Sequence, residues 1–229
     1  MKTQILVSHP QIRDSGTQKF LETTVKFFRN IFFEPIDIEY PDGNIDVEKE
    51  QERLKRTDRI IFQFPMYWYQ SPDSLSKYMQ TVFTRKFVEA QKALAGKELG
   101  VVVTTGDSLS QFRLGGSENF TISELMSPYA AFAHKAGMKF LPVFPIEQFA
   151  YLDEPQKEKL VGDYAMYVGA KQPLTLDNQT SWIVEQLNAI AEGNNNKEAI
   201  NLIIDSINSR KDKIDDLKMN IKMIRDEEE

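Results

Sequence analysis

The chain contains no cysteine, which excludes disulfides, thiolate nucleophiles and cysteine-ligated iron–sulfur clusters. Histidine is scarce: only His9 and His134 occur, without the spacing of metal ligands, so a zinc centre is not expected. No apolar run approaches the ~18 residues that would insert through a membrane. Positive charge is not in excess either. The formal net charge is −6 and the pI about 5.2. Broad binding to nucleic acid or to an anionic membrane needs a basic face, and this balance argues against one. The N-terminus runs straight into a strand-like segment, Lys2 to Val7, with no charged leader and cleavage site, so a cytoplasmic location is expected. Neither G-x-G-x-x-G nor a G-K-[ST] phosphate loop is present.

What is present is alternation. With 229 residues and 41% apolar content, the chain can form one sizeable domain and an appendage, or two small domains. Short apolar runs at 3–7, 36–40, 59–64, 99–105 and 138–144 read as strands. Between them, 18–31, 46–55, 72–84 and 122–136 read as helices, and 154–168 as a further one. Continuous apolar strands alternating with helices predict βαβ units and a parallel sheet covered on both faces. Five such strands with right-handed crossovers fit the α/β flavodoxin-like, doubly wound order 2-1-3-4-5. Thr121 and Glu124 form a capping-box pattern ahead of Ile122, and Gly137 sits where a helix C-terminal glycine belongs.

Three segments bear chemistry. Pro65-Met66-Tyr67-Trp68-Tyr69 follows a buried strand and lies between two prolines, Pro65 and Pro72. Three large aromatics in a row at a strand end are costly unless something flat covers them, and a flavin ring would. The alternative is a hydrophobic turn buried under another element. His9 and the run Ser15-Gly16-Thr17-Gln18 occupy the loop after the first strand, where a helix N-terminus attracts phosphate. An ordinary N-cap by Ser15 or Thr17 is the plainer alternative. Thr104-Thr105-Gly106-Asp107 closes the fourth strand, and Gly106 would let a ligand approach the backbone. An ordinary turn is again the alternative. In a 2-1-3-4-5 sheet these three loops end side by side and face one crevice.

These pieces, in this order, resemble the NAD(P)H quinone oxidoreductases of the flavodoxin-like superfamily. Further matching pieces are Tyr40-Pro41-Asp42, Val82-Phe83-Thr84, Gly96-Lys97 and Leu141-Pro142, so the likeness covers residues 1 to about 170. The resemblance implies FMN rather than FAD, NADH or NADPH as co-substrate, and a quinone or similar small-molecule electron acceptor. It assigns His9 and Ser15 to Gln18 to the phosphate and ribityl end. It assigns Met66 to Tyr69 and Thr104 to Asp107 to the ring, and it implies a homodimer. Tyr69 and Phe112 are the expected substrate walls. The sequence departs from the family pattern at 85–90, at Asp107 and at Phe112 and Glu118, which stand near a Tyr and His thought to relay protons. A phenyl ring donates no proton, so no relay of that kind runs through Phe112. The rival reading within the same superfamily is a flavin-binding regulatory subunit of a Kef-type potassium efflux system.

The composition changes beyond Gln172. A flavin-binding domain is expected over 1–172 and a helical extension over 178–229, with helices at 178–192 and 197–225 joined by a turn at 193–196. Ile200, Ile207, Ile214 and Ile221 recur every seven residues, with Ile203, Leu217 and Ile224 in the second seam position and Arg210 interrupting it. This heptad pattern suits either a hairpin on the chain itself or pairing between subunits.

Overall fold

Thr3–Val7 is buried at every residue, and such a run can only sit mid-sheet between two covered faces. It forms β1, flanked by β2 (Ile31–Pro35) and β3 (Arg59–Pro65); β4 (Glu98–Thr105) lies beyond β3. The next position is shared by β5 (Lys139–Phe140) and β6 (Phe144–Glu147), both on β4. Every pairing is parallel and the order is β2-β1-β3-β4-β5, the order the sequence pattern predicts. The computed structural model describes residues 1–192 and 196–228. It falls into two units, Met1–Val168 and Gly169–Glu229.

Alternation along the strands sends side chains to two cores. Ile5, Val7, Ile61 and Val102 meet Leu21 and Val25 of α1 (Gly16–Val25) and Tyr164 and Val168 of α7 (Glu154–Gly169). Leu6, Ile60, Phe62 and Phe64 face the other way. They meet Leu54 of α3 (Val47–Lys55), Leu75, Tyr78 and Val82 of α4 (Asp73–Val82), and Tyr129 and Ala133 of α6 (Ser127–Lys135). Each such side chain contributes about 1.5–3 kcal/mol on burial. At the opposite end of the sheet from the strand-end loops, Arg59 is fully buried. Its Nε and Nη2 donate to Glu98 Oε2 at 2.8 and 2.6 Å, and its Nη1 donates to the Tyr167 carbonyl at 2.6 Å.

Four expectations need correction. The second strand is 31–35, not 36–40; Ile36–Glu39 is a short helix, α2. The alternation of Ile36 and Ile38 mimics a strand, yet Ile36 is 3% exposed and Ile38 46%, so only one faces a core. The first helix accordingly stops at Val25. The 138–144 run is broken between β5 and β6, where Pro142 has no N–H for the ladder. The 122–136 helix is interrupted at Met126, giving α5 (Ile122–Leu125) and α6, with Pro128 in the first turn of the second piece. The capping box at Thr121 and Glu124 is present as expected, and Gly137 has φ +69°.

The second unit contains α8 (Leu176–Ala191), capped by Thr175, and α9 (Lys197–Glu228). Val184, Leu187 and Ala191 pack on Ile200 and Ile204. Lys211 reaches Asp177 at 3.2 Å, so the two helices run antiparallel. The hairpin reading therefore holds for the first half of α9. The turn expected at 193–196 falls largely outside the described residues.

Candidate functional site

The loops after β1, β3 and β4 are held next to one another by the ladder itself. Ser8 N–H donates to the Gln63 carbonyl at 2.9 Å, and Met66 N–H to the Thr104 carbonyl at 2.9 Å. The three sequence segments thus meet at one end of the sheet. Ser15 caps α1, its Oγ accepting from Gln18 N–H at 3.2 Å. The N–H groups of Gly16 and Thr17 carry no hydrogen bond among the described residues. They remain as donors at the positive end of the helix dipole.

Beneath this turn lies a polar chain. Tyr164 Oη donates to Gln63 Oε1 at 2.7 Å, and Gln63 Nε2 donates to Gln18 Oε1 at 2.6 Å. Gln18 is 1% exposed and its Nε2 has no partner among the described atoms. A buried amide donor left unpaired costs about 1–3 kcal/mol, and a ligand acceptor would relieve that cost. Beside it, His9 N–H donates to Asp37 Oδ2 at 2.8 Å, Ser74 Oγ donates to the same oxygen at 3.1 Å, and the Ser8 and Ser74 hydroxyls lie 2.5 Å apart. His9 Nδ1 accepts from Gln11 N–H at 3.1 Å, which leaves the ring proton on Nε2. Burial holds the His9 pKa below its ordinary value, so the ring is neutral at pH 7.

The aromatic segment is a tight hairpin. Tyr67 and Gln70 exchange N–H···O bonds of 2.9 and 3.0 Å, and the two residues between them, Trp68 and Tyr69, have φ +48° and +65°. A turn with both central residues left-handed normally takes Asn-Gly or Asp-Gly. Placing bulky side chains there stores on the order of 1–3 kcal/mol each. Tyr67, Trp68 and Tyr69 are 49%, 91% and 45% exposed. Tyr69 Oη donates to Glu118 Oε2 at 2.9 Å, tying the hairpin to the loop after β4; that bond raises the Tyr69 pKa. The same loop is anchored at its start by Leu109 N–H on Glu147 Oε2, at 2.6 Å. Thr105 is 7% exposed and its Oγ1 donates to the Asp107 carbonyl at 2.8 Å. Apart from its chain neighbours and its own helix, no described atom lies within 4 Å of where a Cβ would stand on Gly16 or Gly106, so the backbone there fronts open space. Phe112 is placed differently from the rest: it is 7% exposed and belongs to the core.

The sequence profile described as "Flavodoxin-like fold" matches residues 1–168. The chain belongs to the flavodoxin-like family. Among its flavodoxin-like relatives is general stress protein 14 of Bacillus subtilis (strain 168), 40% identical over 146 residues, 63% of this chain and 83% of that one. A solved NADPH-quinone reductase from P. pentosaceus is 43% identical with a TM-score of 0.70, covering 73% of this chain and 98% of that one. General stress protein 14 from Treponema denticola, solved in complex with FMN, is 25% identical with a TM-score of 0.67, covering 73% and 98%.

The site residues that sequence reasoning missed are those that support others. Asp37 lay in a segment misread as a strand. Gln63 and Ser74 sit inside regular elements and carry no local signal, and Ser8 follows directly on β1. Glu118 was noted only as a departure, and its bond to Tyr69 needs the fold to be visible.

Proposed function

We propose that this flavodoxin-like protein is an oxidoreductase that holds FMN in the strand-end crevice and passes hydride from NADH or NADPH to a quinone or similar small acceptor. The observation that carries this reading is the meeting of two unlike features at one end of the sheet. Unused N–H donors and an orphaned Gln18 amide stand at the loop after β1, and a strained, exposed aromatic hairpin at the loop after β3. The residues present fit the group. His9, Ser15, Gly16, Thr17 and Gln18 suit a phosphate and ribityl chain. Pro65, Met66, Tyr67, Trp68, Tyr69, Thr104, Thr105, Gly106 and Asp107 suit a flat ring. When bound, the flavin would supply hydride acceptance at N5.

The chain's own residues have positioning tasks. The Gly16 and Thr17 N–H groups and the α1 dipole would hold the phosphate dianion. The neutral His9 offers Nε2–H without adding charge. The hairpin would shield one side of the ring from water, with Tyr69 as a wall for the nicotinamide or quinone. Glu118 fixes the Tyr69 ring through its hydroxyl. FMN is favoured over FAD because the rest of the loop after β1 holds no second glycine-rich site to take an adenylate. A homodimer and a cytoplasmic location belong to the same proposal; the likeness to a solved NADPH-quinone reductase supports the quinone as acceptor.

The test is a visible spectrum, extraction of the cofactor, and NAD(P)H consumption with and without added quinone. A flavin spectrum, FMN as the extracted species and quinone-dependent turnover are expected. A colourless protein that FMN does not reconstitute would overturn the site. Bound FMN with negligible turnover on either nucleotide would move the reading to the regulatory subunit of a Kef-type efflux system.

A further inference from the structure

Independently of the flavin reading, a cavity of about 420 Å³ opens beside the start of β1, between the β1–β2 edge of the sheet and α3. The strand-end loops leave from the other end of these strands. In the parallel register Gln4 stands opposite Phe32, and alternation puts Glu34 on the same face. Gln4 lines the cavity, is 1% exposed, and its Nε2 has no hydrogen-bond partner among the described atoms. Buried amide donors are normally paired, so one that lines a cavity marks a place for an acceptor. Phe32, 43% exposed, adds a flat apolar wall. The volume is at the small end for ligand pockets and suits one small molecule rather than a dinucleotide.

The chain as a whole is acidic, yet this cavity is locally positive. Lys2, Lys49, Arg53 and Arg56 line it against Glu34 and Glu52. Several of these charges are already answered. Arg53 pairs with Glu34 at 3.0 Å, Lys49 pairs with Glu39, and Lys55 holds Glu52 at 2.5 Å. The Lys2 ammonium and the Arg56 guanidinium form no ion pair among the described residues. The negative end of the α3 dipole would oppose an anion here, but Lys97 neutralises it: its Nζ donates to the Lys55 carbonyl at 3.0 Å and to the Thr57 carbonyl. Two unpaired cations beside two fixed carboxylates suit a single negative charge and disfavour a polyphosphate. We propose that this cavity binds a small hydroxylated aromatic carboxylate. Its carboxylate would sit on Lys2 and Arg56, whose guanidinium fork matches that group. Its ring would lie against Phe32 and the aliphatic stems of Lys49 and Arg53, and its hydroxyl oxygen would accept from Gln4 Nε2.

The test is calorimetric titration of the full-length chain with 4-hydroxybenzoate, in excess FMN so that the strand-end loops are not the available site. One saturable site per chain is expected, with a Kd on the order of 1 mM or tighter. Arg56→Ala and Gln4→Leu should each weaken binding by about tenfold. Acetate, which lacks the ring, and 4-hydroxybenzamide, which lacks the charge, should each bind weaker than the probe by about the same factor. Gln4→Leu should leave the melting temperature of the free protein unchanged or raise it, because an apolar group of similar size replaces an unpaired buried amide. That readout separates a ligand contact from a fold contact. Absence of saturable binding would overturn the proposal. Binding that either variant leaves unchanged would place the probe elsewhere, with the same consequence. Equal binding of 4-hydroxybenzamide or of acetate would remove the anionic or the aromatic requirement and overturn the ligand class. A lowered melting temperature in Gln4→Leu would assign Gln4 to the fold and overturn the site.

Discussion

The chain holds two ion pairs of similar composition in opposite surroundings. Arg59–Glu98 lies in the first unit, with the arginine fully buried and the carboxylate 17% exposed; Lys218–Asp215 lies in the second, 57% and 48% exposed. The contrast extends to apolar groups. The strand-end unit exposes its densest aromatic cluster at one strained hairpin, whereas α9 exposes isoleucines at regular spacing over its distal length. Irregular exposure on a strained backbone points to a small flat ligand. Burial also decides which charges matter for stability.

The largest effect should come from Glu98→Leu, which leaves the buried Arg59 without its carboxylate. Breaking such a pair costs about 3–5 kcal/mol. The denaturant midpoint should fall at an unchanged slope, and a loss under 1 kcal/mol would place Arg59 in a wetter setting than described. Lys218→Ala, by contrast, should leave the midpoint where it was.

Next in size are changes that separate the crevice from the scaffold. Trp68→Gly removes a ring and relieves a left-handed backbone. It should raise stability by about 1 kcal/mol while weakening FMN binding by roughly tenfold, equivalent to about 1.4 kcal/mol. Gly106→Ala should leave the melting curve unmoved, because its Cβ meets nothing, yet weaken FMN. If both variants bind FMN as the parent does, the ring is elsewhere.

A smaller effect concerns pH. The pKa of His9 is lowered in the folded chain by burial, against an ordinary value of 6.5. As pH falls through that value the unfolded chain takes up a proton that the native chain resists, so stability declines. Protonation of Nδ1 at lower pH also ends its bond from Gln11. Parent and His9→Asn should diverge below about pH 6.5, with the parent losing stability faster on acidification; parallel profiles would remove His9 from the account. The smallest effect is expected from ending the chain at Gln172. All three strand-end loops precede that point, so FMN affinity should hold. Loss of FMN from a folded truncated chain would mean that the second unit reaches the crevice.

Much of the scaffold was legible because its strands are buried on both faces. Residues 3–7, 59–64 and 99–105 are short runs centred on consecutive buried apolar side chains, Ile5 to Val7, Ile60 to Phe62 and Val101 to Val103. Edge strand β2 was misplaced because it is only half covered, and nothing in Ile31 to Pro35 outweighs the false alternation of Ile36 and Ile38. The crevice segments were visible by residue type. Their geometry was not, since Trp68-Tyr69 carries none of the usual signals for a left-handed turn. Long-range polar partners were invisible for a simpler reason: Gln18, Gln63 and Tyr164 come together only when three separate elements pack.

That last contact has a consequence in time. Tyr164 belongs to the final helix of the first unit, yet its hydroxyl supports Gln63, which holds Gln18 under the first loop. During synthesis the loop after β1 leaves the ribosome early and waits for α7, some 145 residues later, before its supporting chain is complete. A nascent chain halted before Tyr164 would carry every proposed ligand-binding residue and still lack a finished crevice. Cofactor capture should therefore coincide with release of α7 rather than with the appearance of the loops themselves.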